Sequence, residues 1–297
     1  MPSTPVRYRV VSQASQPPGS AANWLPAFWF AALLLLSYAV VLGKLARLWV
    51  TDASMSHGAF VPLLVGYIVW ERRHALAALQ PAHNWFGLVL LVLGGLLLCV
   101  GPPGLDTFAS LTRAAFWFSL LGSLLYMLGF SGLRLLLYPL ALLLLMFPIP
   151  AFILDILTFP LQVIASKLAE HMLEFLGFSV LREGNILVLP GQTLNVADAC
   201  SGLRSLIALT FLGQAYIYLF DSRPWMRVVM AILVVPIAVL ANALRILATA
   251  VAASYNRKWG DGSYHEWTGW VVFVVAFTCI ICAHLLIKTL GARLRVK

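Results

Sequence analysis

The run from Val196 to Leu206, VADACSGLRSL, holds the residues of this chain that are best suited to chemistry. Cys200 and Arg204 are four residues apart, so both lie on one face if a helix begins near Ala199 or Cys200. A nearby guanidinium and the amides of a helix N-terminus both favour the thiolate form of a cysteine. This spacing indicates Cys200 as a nucleophile, with Ser201 and Arg204 in supporting positions.

The alternative for Cys200 is plain packing, because most cysteines in apolar surroundings are inert. The neighbouring Arg204 favours the functional interpretation, since a charged side chain at membrane depth costs a few kcal/mol and is retained mainly for function.

Two later segments could share a chamber with Cys200. The run Asn242–Ile246 (NALRI) places a second cation, Arg245, one turn after Asn242 inside an apolar stretch. His265 comes just before the last apolar stretch, where a pKa near 6.5 suits either a base or a solvated interfacial loop. The sequence around His265 lacks the second ligand of a zinc HExxH motif because Gly269 stands there, so we expect no metal.

Composition sets the class of protein. Hydrophobic residues make up 61% of the chain and charged ones 10%, which indicates a multi-pass membrane protein. The net charge of +9 comes from short basic runs at the ends of apolar stretches, so we expect no nucleic-acid partner. The four cysteines do not predict a disulfide framework.

The predicted fold is all-α, a polytopic bundle of about eight transmembrane helices. Apolar stretches of suitable length occur in sequence. The predicted spans are Trp24–Leu45, Ala59–Trp70, Trp85–Val100, Ala114–Leu128, Leu133–Phe147, Ser201–Phe220, Val228–Ala253 and Thr268–Ile287.

A non-spanning insertion at about 149–199 separates the fifth span from the sixth. From Leu161 to Phe175 polar residues recur every fourth position, which predicts an amphipathic helix with its polar face directed away from Leu161, Ile164 and Phe175. Two short β-like runs, Ile186–Leu189 and Thr193–Val196, flank Pro190-Gly191 and predict a small hairpin.

Orientation follows from the distribution of Lys and Arg. With both termini in the cytoplasm, the inner side has a large excess of basic residues, whereas the rest of the chain balances to zero. This arrangement predicts a flexible cytoplasmic tail at 1–23, a membrane domain at 24–287 and a basic cytoplasmic tail at 288–297. Cys200 and His265 then face the outside.

The sequence resembles the exosortases and their archaeosortase relatives, which are polytopic membrane cysteine proteases or transpeptidases. The likeness covers most of the chain, and the pieces are specific in combination. They are Ser56-His57-Gly58 with Val61-Pro62, Pro148-Ile149-Pro150, Arg182-Glu183-Gly184-Asn185, Ala199–Ser205, Asn242–Ile246, and His265 followed by Gly269.

The resemblance implies that Cys200 is the nucleophile, Arg245 the essential arginine and His265 the third catalytic member, with no cofactor. The implied partners are exported proteins whose C-terminal signal has a Pro-Glu-Pro-type motif, an apolar helix and a basic tail. It also implies membrane lipid as a partner, an exopolysaccharide-assembly context, and a bacterial inner membrane location with the site facing the periplasm. Residues expected to support the site or border the substrate are Arg204, Asn242, Ser201, Arg182, Glu183 and Asn185.

Some alternatives stay open on the residues alone. Arg245 could stabilise the oxyanion while His265 acts as acid and base, or the two roles could be exchanged; an arginine pKa above about 12 favours the first division. A transporter or channel would also bury Arg204 and Arg245, and a membrane O-acyltransferase would use His265 with Cys200 as packing.

Overall fold

Apolar helices make up most of the structure. The computed structural model describes residues 25–79, 84–101, 109–190, 192–195, 202–256 and 263–295. In chain order the helices are α1 (Leu25–Ser37), α2 (Ala39–Thr51), a 3₁₀ helix (Ala53–Ala59), α3 (Phe60–Glu71), α4 (Arg73–Ala77), α5 (Trp85–Val100), α6 (Ala109–Leu143) extended by a 3₁₀ turn (Leu144–Met146), α7 (Ala151–Phe175), α8 (Gly202–Phe220), α9 (Pro224–Tyr255) and α10 (Ser263–Arg295). The strands are β1 (Leu181–Glu183), β2 (Ile186–Leu189) and β3 (Gln192–Asn195).

Several of these helices can cross a membrane by length and composition. Within the described ranges, four candidates are Ala53–Glu71, Ala109–Met146, Pro224–Tyr255 and Trp267–Gly291. The bent pair α1 and α2 gives a fifth if it is counted as one span, and α5 and Leu206–Phe220 are shorter apolar helices. The chain is therefore a multi-pass, largely helical membrane protein with one small sheet.

The long helix α6 folds back on itself at Gly129. This glycine has φ 63° and ψ −168°, which is not helical. The rings of Phe116 and Phe147 are 5.4 Å apart, whereas a straight helix would separate them by about 46 Å. The two arms of α6 therefore lie antiparallel, as the separate spans Ala114–Leu128 and Leu133–Phe147 had predicted.

The first predicted span, Trp24–Leu45, is not one straight helix. It breaks at Tyr38 into α1 and α2, with a bend of 71° between residues 28–37 and 39–51. The Tyr38 ring is buried against Phe116, and its hydroxyl is 2.8 Å from Ser119 Oγ. Hydropathy did not indicate this bend, at which Tyr38 contacts α6.

Helix α7 is longer than the predicted amphipathic helix, and its buried face, at Ala165, Ser166, Ala169 and Leu173, is not the predicted apolar face. Ser166 is fully buried, whereas Ile164 and Phe175 are exposed. The Ser166 hydroxyl donates to the Gln162 carbonyl at 2.7 Å, which satisfies it inside the protein. The exposed side of α7 also carries apolar side chains, at Ile153, Ile156 and Phe159.

The predicted hairpin is present as part of a three-stranded antiparallel sheet with the order β1-β2-β3. Strand β1 was not predicted. A two-residue turn connects it to β2, and Gly184 takes φ 66° at the first turn position, where glycine is favoured. Leu187 and Leu189 pack with α7 and with the C-terminal half of α9.

The later helices also extend beyond their predicted limits. Helix α9 covers Pro224–Tyr255 where Val228–Ala253 was expected. Helix α10 starts at Ser263, so His265 lies in its first turn instead of in a preceding loop. It continues to Arg295, so most of the predicted basic tail is helical. The predicted tail 1–23 lies outside the described residues.

The turn at Gly129 gives a test of the helical hairpin. Replacing Gly129 with alanine should destabilise the protein by about 1–3 kcal/mol, because that backbone conformation is accessible almost only to glycine. Thermal unfolding of the purified protein in detergent measures this loss as a lower midpoint. The matched control is Gly95→Ala in α5, where an added Cβ meets no atom within 4 Å. Equal midpoints for the two variants would contradict the folded-back arrangement.

Candidate active site

Arg245 lies against helix α10 at Gly269. A Cβ placed on Gly269 would be 3.3 Å from Arg245 Nη2 and 3.4 Å from its Cζ. The absence of a side chain at this position lets the guanidinium approach the α10 backbone. His265 is four residues before Gly269 and therefore one helical turn away on the same face of α10. The structure thus brings together the helix positions of two of the three predicted catalytic residues.

Arg245 also borders a cleft between α8, α9 and α10. Its walls are apolar except for Arg245 and Asn242, and several of the residues are small. The lining residues are Leu209, Ala238, Ala241, Asn242, Arg245, Gly269, Val272, Phe273 and Ala276.

A second cleft opens on the other side of α9. It shares Ala238 and Asn242 with the first cleft. Its remaining lining comes from α7, α8 and α9, namely Thr158, Leu161, Gln162, Leu206 and Val239. Asn242 therefore lines both the cleft that faces α7 and the cleft that contains Arg245.

The structure describes three of the predicted residues only in part or not at all. Cys200 and Ser201 lie outside the described residues. Arg204 belongs to the first turn of α8, which begins at Gly202, although its side chain is not described. Leu206, two residues after Arg204, lines the cleft beside Asn242.

The sheet is attached to α7 by the residues that were predicted to border the substrate. Arg182 Nε donates to Glu170 Oε2 at 2.7 Å, and its Nη1 donates to the Gly184 carbonyl at 2.9 Å. Asn185 Nδ2 donates to Gln162 Oε1 at 3.5 Å. These contacts hold the β1–β2 turn on α7, whereas Glu183 is exposed. A substrate role for Arg182, Glu183 and Asn185 stays a prediction.

The order of strands limits how a peptide could pair with the sheet. Both sides of β2 are already paired, with β1 and with β3. An added strand could therefore bind only along β1 or β3. Strand β3 ends at Asn195, five residues before Cys200, so of these two strands it is the nearer to Cys200 in sequence.

The Ser56-His57-Gly58 segment connects helices instead of entering the clefts. His57 is buried, and its Nε2 lies 3.2 Å from the Leu145 carbonyl at the end of α6. A Cβ on Gly58 would be 2.3 Å from Trp49 Nε1, which itself donates to the Met146 carbonyl at 3.1 Å. The segment thus joins α2, the 3₁₀ helix and α6 by packing.

Sequence reasoning missed a buried polar network at the opposite end of α8 and α10. His284 Nε2 is 3.0 Å from Asp221 Oδ2, and His284 Nδ1 is 3.0 Å from the Tyr216 hydroxyl. Arg223 donates to both carboxylate oxygens of Asp221. Its hydrogen bonds hold the pKa of Asp221 well below the usual range for a carboxyl group. A histidine near the end of the last predicted span was the signal that could have indicated this network.

With its elements, its two clefts and the Arg245–Gly269 contact described, the chain can be compared with known families. A family model described as transmembrane exosortase matches residues 49–282. The chain belongs to the transmembrane exosortase family. Exosortases are membrane enzymes that process sorting signals, so the substrates of this chain are proteins that carry such a signal. Searches of curated proteins and of solved structures found no match.

The contact with Gly269 predicts how substitutions there should affect processing of a sorting signal. Alanine should lower the rate and valine should lower it further, by about tenfold or more, because a side chain at this position displaces the Arg245 guanidinium. The measurement is the processing rate of a reporter protein with a sorting signal, normalised to enzyme level.

Gly291→Val is the matched control, since it lies on the same helix and an added Cβ there meets nothing within 4 Å. Full activity in Gly269→Val would show that the position of Arg245 against α10 does not matter for processing.

Proposed function

We propose that this protein is a membrane-embedded cysteine protease or transpeptidase that cleaves C-terminal sorting signals through a thioester on Cys200. Family membership supports the substrate class. The geometry of α8 and α10 supports the choice of residues, because it sets the height of the start of α8, which follows Cys200 in the sequence.

The observation that carries the proposal is the distance along α8 and along α10 from a contact that the two helices share. The inner ends of α8 and α10 meet where the Tyr216 hydroxyl contacts His284. From that contact, Gly202 and Gly269 are each about 21–22 Å away along their own helices. The start of α8 is therefore level with the point where Arg245 touches α10, and Cys200 precedes Gly202 by two residues.

In the proposed reaction, the thiolate of Cys200 attacks the carbonyl carbon of the scissile peptide bond and forms a C–S bond. The carbonyl oxygen becomes an oxyanion, which the Arg245 guanidinium stabilises by its fixed charge. Collapse of this intermediate breaks the C–N bond, and protonated His265 gives its proton to the leaving amine. Water or an amine then attacks the thioester and releases the thiolate. Exchanged roles for Arg245 and His265 remain the alternative assignment.

The remaining polar residues have supporting places in this proposal. Asn242 lies one turn before Arg245, where it can orient the guanidinium or donate to the oxyanion. Arg204, in the first turn of α8, can favour the thiolate or receive an acidic side chain of the signal. Ser201 is adjacent to the nucleophile.

We propose an eight-span topology for the bundle, with both termini in the cytoplasm of a bacterial inner membrane. It counts the bent pair α1 and α2 as one span, each arm of α6 as one, and α3, α5, α8, α9 and α10 as the others. Contacts between distant segments support this topology. Arg72 donates to the Leu135 carbonyl, and the Tyr218 hydroxyl donates to Glu71. These contacts place the helix ends that carry the basic loops on one side of the bundle.

The nucleophile is tested by trapping the intermediate. A sorting-signal peptide incubated with the purified protein should add its acyl part to Cys200, which mass spectrometry detects as a mass increase on the peptide that contains Cys200. Cys200→Ser should abolish rapid processing at normal protein level, with Cys99→Ser as the matched control on an exposed cysteine.

The same pair of variants separates the competing functions. A transporter or an O-acyltransferase based on His265 would retain its activity in Cys200→Ser, and such a result would reject the thiol enzyme.

The topology predicts opposite sides for two accessible labels. A reporter after Lys297 should lie in the cytoplasm, whereas a single cysteine at Ser263, the first residue of α10, should react with a membrane-impermeant thiol reagent added outside. The measurement is labelling of intact cells against lysed cells, in a background without the native cysteines. Location of both sites on one side would contradict an odd number of crossings between them.

A further inference from the structure

A cleft of about 310 Å³ lies between α2 and the start of α6, away from the candidate active site. Its lining combines cations, hydroxyl groups and apolar side chains. The lining residues are Val41, Lys44, Leu45, Arg47, Leu48, Thr51, Ala109, Thr112, Arg113, Phe147 and Pro148.

The charge of this cleft is concentrated. Lys44 and Arg47 are three residues apart on one face of α2, and Arg113 approaches from the first turns of α6. None of the described residues that line the cleft is acidic. Arg113 Nη1 donates to the Pro148 carbonyl at 3.2 Å, which fixes the guanidinium at the junction between α6 and α7. Three cations around one space attract an anion.

These three cations lie on the side of the membrane where basic residues are not expected in the eight-span topology. Arg113 and Pro148 lie at the end of the α6 hairpin opposite to its Gly129 turn, and the basic loops lie near that turn. In the eight-span topology the cleft is therefore at the outer face. Membrane orientation is set by basic residues on the inner side. It therefore does not explain three basic residues at the outer face.

The apolar lining narrows the ligand class. Val41, Leu45 and Phe147 are buried and continue inward from the cations. The Thr51 and Thr112 hydroxyls already donate to carbonyls of their own helices, at 3.0 and 3.1 Å, which leaves recognition of an anion to the three cations. A ligand that suits this arrangement has a phosphate group and an attached hydrocarbon chain.

We propose that this cleft binds the phosphate of a membrane phospholipid, with the start of an acyl chain against Val41, Leu45 and Phe147. Bound phosphate bridges Arg47 on α2 and Arg113 on α6. Because Arg113 is tied to Pro148, the lipid also holds the beginning of α7, which lines the cleft beside Asn242 further along. The inference does not depend on the cysteine chemistry proposed above.

The test measures phospholipid binding to the purified full-length protein in detergent. Native mass spectrometry, titrated with phosphatidylglycerol, should show one tightly bound lipid. The double variant Arg47→Gln/Arg113→Gln should weaken this binding by about tenfold or more, since it removes two charged contacts with the phosphate. The matched control is Arg73→Gln/Arg134→Gln, which removes the same charge from exposed positions at the other end of the bundle.

Three results would overturn the proposal. Equal lipid binding in the two double variants would mean that the lipid is bound elsewhere. Binding of inorganic phosphate that phosphatidylglycerol cannot displace would assign the site to a free anion. Displacement of the lipid by a sorting-signal peptide would assign it to the substrate. Because Arg113 is partly buried, Arg47→Gln alone, at an exposed position, serves as a second variant if the double variant does not fold.

Discussion

The buried carboxylate of Asp221 is the interaction on which the arrangement of the last three helices depends. An ionised group inside an apolar bundle must be paired, since its desolvation costs several kcal/mol. Arg223 and His284 supply the donors, and the ionised carboxylate can only accept, so His284 Nε2 carries a proton. The other ring nitrogen of His284, Nδ1, lies 3.0 Å from the Tyr216 hydroxyl. This chain of contacts fixes the end of α8 to α10 at one height.

Aromatic and cationic contacts extend the same constraint to α6. Arg227 lies over the rings of Tyr138 and Tyr218, at 4.7 and 4.6 Å, and the two rings stack at 5.5 Å. Gln214 accepts from the Tyr138 hydroxyl and donates to the Arg227 carbonyl. The second arm of α6, α8 and α9 are thus joined at this end of the bundle. Because helices are stiff, fixing this end also sets the relative heights of the other end, where Arg245 meets Gly269.

The parts of the fold that sequence alone could predict are those decided by local composition. Apolar length located most of the spans, and turn residues located Gly129 and the β2–β3 hairpin. The break at Tyr38 and the buried face of α7 depend on contacts with distant helices, which hydropathy does not contain. Strand β1 was missed because three residues give too little alternation to recognise. For the candidate site, the sequence indicated Arg245, but not that Gly269 is the residue it touches.

The two ends of the bundle are built from different kinds of residues. At the end that contains Asp221, paired polar groups fill the space and resist separation of the helices. Near Gly269, small residues such as Ala238, Ala241 and Ala276 leave a cleft between α8, α9 and α10, which Arg245 also lines. The small side chains around Arg245 let its guanidinium approach α10 closely, at Gly269. Because stiff helices carry the alignment of one end to the other, this approach depends on the polar contacts that join the far ends of the same helices.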